Sequence, residues 1–268
     1  MKSRLVTLVA VAIAAVAVIF AGARFVASPS RPPAAHARLP AKPSSYLGVY
    51  EAGTPPSPDA ITDFARAAGS QPNLAGYFSG WAEKFHTAYA KAVRHDGMIP
   101  FVQIDPTFAS VAGIASGVYD GYLRSYADSV RDFGQGVVIG FGHEMNAPWY
   151  SWGYGHVEPR TFVAAWRHIV TVFRGQGADN VTWLWTINAD QPGTGPISDW
   201  WPGDQYVGWV GIDGFYYRPT DTFARVFGAT IDEVRQLTVR PVLLSETAVG
   251  PRAGQFVKIG RASCRERV

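Results

Sequence analysis

The sequence predicts an α/β fold, a (β/α)8 TIM barrel in which about seven strands are present and the last strand and its helices are missing. Three observations carry that expectation. Through residues 46–257, short apolar, β-branched or aromatic runs alternate with amphipathic segments, the pattern of a parallel sheet covered by helices. The runs are apolar on both faces, as strands buried on both sides must be. None is followed by a Gly-x-Gly-x-x-Gly turn, which favours a barrel over a dinucleotide-binding sheet. The stretch is also shorter than the ~250 residues typical of a full barrel.

Strands are expected at 46–52, 74–81, 98–105, 136–144, 180–188, 206–216 and 241–248, and helices at 58–68, 83–95, 119–133 and 159–176. In the last helix Phe162, Trp166, Ile169 and Phe173 recur at helical spacing, and Pro159 suits a first turn. Thr230 and Glu233 stand as a capping box ahead of Val234 and Leu237. The sequon at Asn180 falls inside a predicted strand and is read as chance.

Ahead of this domain, 1–27 pairs a basic start, Lys2 and Arg4, with a long apolar run from Leu5 to Ala23. It reads as a cleaved signal peptide or a transmembrane signal anchor. In both cases the folded part is exported, secreted or held outside the cell. Residues 28–45 form a Pro/Ala/Ser-rich linker. The chain carries a formal charge of +3. Lys258, Arg261, Arg265 and Arg267 against Glu266 account for all of it, so nucleic acid is not an expected partner. The tail 258–268 (KIGRASCRERV) reads as translated sequencing adapter, non-native, with the natural C-terminus absent. It holds the chain's single cysteine, so disulfide and thiol chemistry are not expected. Membrane contact is expected only through the N-terminal segment, and the protein is expected to be a monomer.

Two strand ends carry the chemistry. Strand four closes on Gly142-His143-Glu144-Met145-Asn146 and strand seven on Ser245-Glu246-Thr247. Polar residues at the C-terminal ends of barrel strands are where catalysts sit. Two carboxyls facing each other there suit glycosidic cleavage, one as acid for the leaving oxygen and one as carboxylate for the anomeric carbon. A zincin motif would need a histidine at 147, which is Ala, and Ser245 lacks a nucleophile elbow. No metal or organic cofactor is expected. Aromatics supply the second signal: 13% of residues, with 9 Trp, more than an ordinary core uses. Trp149, Tyr150, Trp152 and Tyr154 follow the first Glu in a loop, where flat rings can bind the C–H faces of sugars. Trp183 and Trp185 read as core, and Trp81 fits either the core or the substrate.

The blocks GHEMNAPWYSWG (142–153), WWPGDQYVGWVGIDGFYY (200–217) and LLSETA (243–248) resemble the signature blocks of glycoside hydrolase family 26, in order and on the predicted strands. The resemblance implies a (β/α)8 retaining glycosidase with Glu144 as acid/base and Glu246 as nucleophile. It places His143, Asp213 and Tyr216 around the reacting sugar, Tyr216 hydrogen-bonded to the nucleophile, and Trp149 beside it. Asn146, Trp152 and Trp81 complete the expected substrate-binding set. The implied substrate is a β-linked plant-type polysaccharide, most of all β-mannan. The alternatives are β-1,3-xylan, mixed-linkage β-glucan, or a carbohydrate-binding wall protein without turnover. In two places the chain departs from the pattern: Gly208 stands where Asp is common, and no strand-eight Trp follows.

Overall fold

The computed structural model describes residues 45–250, which excludes the predicted signal segment, most of the linker and the basic tail. Seven parallel strands run in sequence order: β1 (Gly48–Tyr50), β2 (Leu74–Gly80), β3 (Ile99–Asp105), β4 (Val137–Phe141), β5 (Val181–Asn188), β6 (Trp209–Asp213) and β7 (Val242–Glu246). They form a nearly closed α/β barrel, and among the described residues β1 and β7 are each paired on one side only. The observed strands are shorter than predicted, because ladder pairing stops before the apolar run does. No helix among the described residues is long and apolar enough to cross a membrane.

The strand period of two splits the core. One set of side chains points inward: Leu74, Val138, Leu184 and Trp209 pack with Phe101 and Leu243 as the floor of the barrel. The alternate set points outward under the helices α1 (Asp59–Ala68), α2 (Thr87–His95), α3 (Val111–Ala115), α4 (Asp120–Phe133), α5 (Pro159–Gly175) and α6 (Ala229–Leu237). Trp183 is in this outer set, edge-on to Phe173 at 5.1 Å and to Trp166 at 6.1 Å, so the periodic face of α5 buries where its spacing placed it. Above the floor lies a polar layer. Gln103 Nε2 donates to Thr186 Oγ1 at 2.9 Å, passing over Gly140, where a Cβ would overlap the Gln103 amide. Gly208 is more mildly constrained, since a Cβ there would meet the Trp183 backbone at 3.3 Å. An Asp at 208 would crowd Thr182 and the Trp183 backbone.

One expectation changes on the structure. Thr230 is not a cap: a π-helical turn (Ala224–Gly228) runs directly into α6, so no free N-terminus exists to cap. Its hydroxyl accepts instead from the Asp190 amide at 2.7 Å. Short α3 lacks the length for a periodic signal. The sequon residue Asn180 is fully buried, its Nδ2 donating to the carbonyls of Val130 and Gln135, both at 2.8 Å. It serves as a strand-entry clamp.

Among the described residues, the non-glycine positions with left-handed backbone are Ala82, Phe108 and Glu144, at φ 71°, 64° and 53°. They follow β2, β3 and β4 respectively, all at the C-terminal mouth of the barrel. Holding such residues left-handed costs about 1–3 kcal/mol each, and strain of this kind gathers at functional sites.

Candidate active site

The chain leaves β4 through Gly142, at φ 53°, where a Cβ would press on the Phe162 ring at 2.9 Å. The Gly142 amide donates to Ile104 O and the Glu144 amide to Thr186 O, both at 2.9 Å. Residues 142–144 are thereby stitched alternately to the strands on either side, and the Glu144 side chain is delivered to the mouth. Its carboxyl is held at both oxygens: Asn188 Nδ2 donates to Oε1 at 2.6 Å and Trp149 Nε1 to Oε2 at 2.7 Å. Asn188 is in turn fixed by Gln191 Nε2 on its Oδ1 at 2.6 Å, and Asn146 exchanges two hydrogen bonds with the Asn188 backbone. Asn146 is thus a buried clamp one step removed from the carboxyl.

His143 is fixed from both ends. Nδ1 donates to Asp105 Oδ1 at 2.9 Å, and Nε2 stands 3.0 Å from the Tyr150 hydroxyl. Burial alone would pull the imidazole pKa down, but the Asp105 bond and the charges of Asp105, Glu246 and Glu144 outweigh it, so the net shift is upward. Burial, reinforced by Glu144 and Asp105, keeps the Tyr150 hydroxyl protonated. Trp152 is buried beneath this pair, its Nε1 on the His143 carbonyl at 2.9 Å and its ring stacked on Tyr150 at 4.4 Å. It supports the site from below, whereas Trp149 is 47% exposed on the rim.

Across the mouth, a register shift between Ile212 and Asp213 sets Asp213 opposite Glu246. Such irregularities re-aim side chains. Here two successive residues reach the site: Ser245 Oγ donates to Asp213 Oδ1 at 2.5 Å, and Glu246 exchanges charge interactions with His143 and Glu144. Glu246 Oε1 is buried without a hydrogen-bond partner among the described residues. Its pKa is raised, first by burial and then by Glu144 and Asp105, with His143 opposing. Asp213 is fully buried and its pKa stands well above the carboxylate range, from burial first and then from Glu246 and Glu144.

The structure therefore brings His143, Glu144, Asp213 and Glu246 into one electrostatic cluster, with Trp149 over it. Trp81 lies elsewhere, half-buried among Tyr122, Tyr119 and Phe141 at 4.9–6.1 Å. Tyr216 is buried against Phe227, and among the described residues no hydrogen bond joins it to Glu246. Its neighbours Phe215 and Tyr217 line the cleft instead, a cavity of about 560 Å³ shared with Glu144, Trp149, Asn188 and Gln191. Asp105 and Asn188 were not singled out by sequence reasoning, and Tyr150, read there as a sugar-binding ring, instead partners His143 and Trp152. Asp105 and Asn188 end β3 and β5, so the strand-end logic that selected Glu144 applies to them as well.

Residues 76–239 match the family model described as glycosyl hydrolase family 26. The chain is 30% identical over 210 residues to Endoglucanase H of Acetivibrio thermocellus, covering 73% of this chain and 23% of that protein. It is 24% identical over 176 residues to a beta-1,3-xylanase of a Vibrio species, covering 61% and 37%. Among solved structures, a mannanase of Bacillus subtilis superposes with a TM-score of 0.57 at 20% identity, over 81% of this chain and 74% of that one. The chain thus spans between 23% and 37% of the length of these two curated relatives.

Proposed function

Because the chain belongs to glycosyl hydrolase family 26, we propose that it is an exported, retaining endo-β-glycosidase acting on a plant-type β-glycan, with β-mannan as substrate. The observation that carries this reading is the unequal setting of two facing glutamates. Glu144 is gripped at both oxygens by Asn188 and Trp149, while Glu246 keeps a buried oxygen without a hydrogen-bond partner among the described residues. A gripped carboxyl suits a positioned acid, since each oxygen retains a second lone pair for a proton aimed at the leaving group. An unencumbered one suits a nucleophile. In the first step the Glu246 carboxylate bonds the anomeric carbon as the glycosidic bond breaks and Glu144 gives its proton to the departing oxygen. In the second, Glu144 takes a proton from water, which displaces Glu246 and restores the anomeric configuration.

A β-glucan is the second reading, favoured by the 30% identity to Endoglucanase H. Incubation with galactomannan, β-1,3-xylan and mixed-linkage β-glucan tests both, by reducing ends released and by the anomer formed first. Binding without release from any of them would leave a carbohydrate-binding protein in place of an enzyme.

Two expected outcomes follow from the site. Trp149→Ala should weaken transition-state binding by about 1–3 kcal/mol through lost burial and stacking, read as a fall in kcat/KM. Trp149→Phe, which keeps a ring but loses the bond to Glu144, should recover the stacking part alone. If Trp149→Ala leaves kcat/KM intact on every soluble β-glycan, the ring is no platform. Second, Glu246 must be ionised to attack, so activity should fall as pH drops through its raised pKa. His143 opposes that rise, so His143→Gln should move the acid limb of kcat/KM to higher pH. An unmoved limb would detach His143 from the nucleophile. The imidazole's own raised pKa contributes stability present below its unfolded value and lost as pH rises through the folded one.

A further inference from the structure

We infer that the loop after β3 forms a distal sugar subsite built on Phe108. Its ring is 103% exposed, so it contributes nothing to the core. The Ala109 amide donates to Pro106 O at 3.1 Å, closing a turn whose third residue is Phe108 at φ 64°. That position calls for Gly or Asn, which adopt a left-handed backbone at little cost. A bulky aromatic is disfavoured there twice, by its backbone and by its exposure, and neither cost is repaid within the fold. The Ser110 amide, on the Tyr119 hydroxyl at 3.3 Å, helps hold the loop in place.

The ring edges a cavity of about 400 Å³ that also takes in Ser151, His156 and Glu158, within the size range of small-ligand sites. These three lie on the loop from β4 to α5, the one that carries Trp149. His156 Nε2 donates to Pro148 O at 2.9 Å, so the wall of this cavity is tied to the residue just before Trp149. In a neutral ring that bond leaves Nδ1 as an acceptor. An apolar face beside hydroxyl, imidazole and carboxylate groups fits a pyranose, with flat C–H face and hydroxyl edge. The occupant is a further sugar unit of the same β-glycan chain, which in this respect rests on the function proposed above.

Phe108→Asn tests the subsite, because Asn suits the turn and removes only the ring. Electrophoresis of the full chain in gels holding galactomannan, β-1,3-xylan or mixed-linkage β-glucan reads binding without turnover. The wild-type protein should be retarded by at least one polymer and the variant clearly less. The ratio of kcat/KM for mannohexaose to that for mannotriose should fall about three- to tenfold. The melting temperature should hold or rise, whereas a structural residue would lower it. Equal retardation in variant and wild type, or none by any polymer, overturns the subsite. Lost retardation without reducing-end release in the wild type would keep the subsite and sink the proposed hydrolysis. Concentration-dependent self-association removed by Phe108→Asn, with sugar binding unchanged, would reassign the ring to a second copy of the chain.

Discussion

Glu246→Ala is expected to abolish turnover, with kcat falling by about 10⁴-fold or more, the scale on which loss of a catalytic group is felt. Added azide should restore cleavage, because the truncated side chain leaves room for a small anion on the face from which the carboxylate attacks. The product should be a glycosyl azide of inverted configuration, identified by NMR. Folding should not suffer. Glu246 is half-buried, its Oε1 is buried without a hydrogen-bond partner among the described residues, and its pKa is raised by burial and by Glu144, so removing it relieves a cost. Its melting temperature is therefore expected to equal or exceed that of the wild type, which separates lost chemistry from lost structure. A crystal structure should place the carboxyls of Glu144 and Glu246 about 5–5.5 Å apart, the spacing that leaves no room for an intervening water. An inverted anomer from the wild-type protein would overturn the assignment.

What could be read in the sequence was what depends on short-range periodicity. Runs apolar on both faces in β2, β4 and β6 mark strands buried on both sides, and the repeat of Phe162, Trp166, Ile169 and Phe173 in α5 reports which helix face is buried, so the parallel sheet and its helical cover were predictable. Glu144 and Glu246 stood out because a charge closing an apolar strand needs a reason. Supports made at long range left no local trace of their partners, even where the residue itself closes a strand. Asn188 reaches Glu144 across 44 positions, and Asp105 reaches His143 across 38. The direction of Tyr216 depends on how the chain turns after the register shift at Asp213, which periodicity does not encode. Thr230 shows the reverse error: a correct local motif is overridden because a π-helical turn supplies the preceding backbone. The crowding that explains Gly140 and Gly208 appears only once neighbouring strands are in place.

Glu144→Ala is expected to fail differently. On polysaccharide the rate should drop by about 10²–10⁴-fold, the usual worth of a positioned acid or base. On an aryl β-glycoside with a strongly activated leaving group, the first step needs no proton, so the loss should be confined to hydrolysis of the covalent intermediate. Azide, attacking that intermediate, should give a glycosyl azide of retained configuration, opposite to the product of Glu246→Ala. The stability response should also be opposite in sign. Glu144 accepts from both Asn188 and Trp149, and Asn188 is buried. Truncation leaves its Nδ2 without an acceptor, at a cost of about 1–3 kcal/mol. Alanine would inherit the left-handed backbone at φ 53°, so no strain is recovered in return. A lowered melting temperature, a first step spared on the activated substrate and a retained azide product together identify Glu144 as the acid/base. If the first step with the activated substrate slows as much as cleavage of the polysaccharide, the proton donor lies elsewhere.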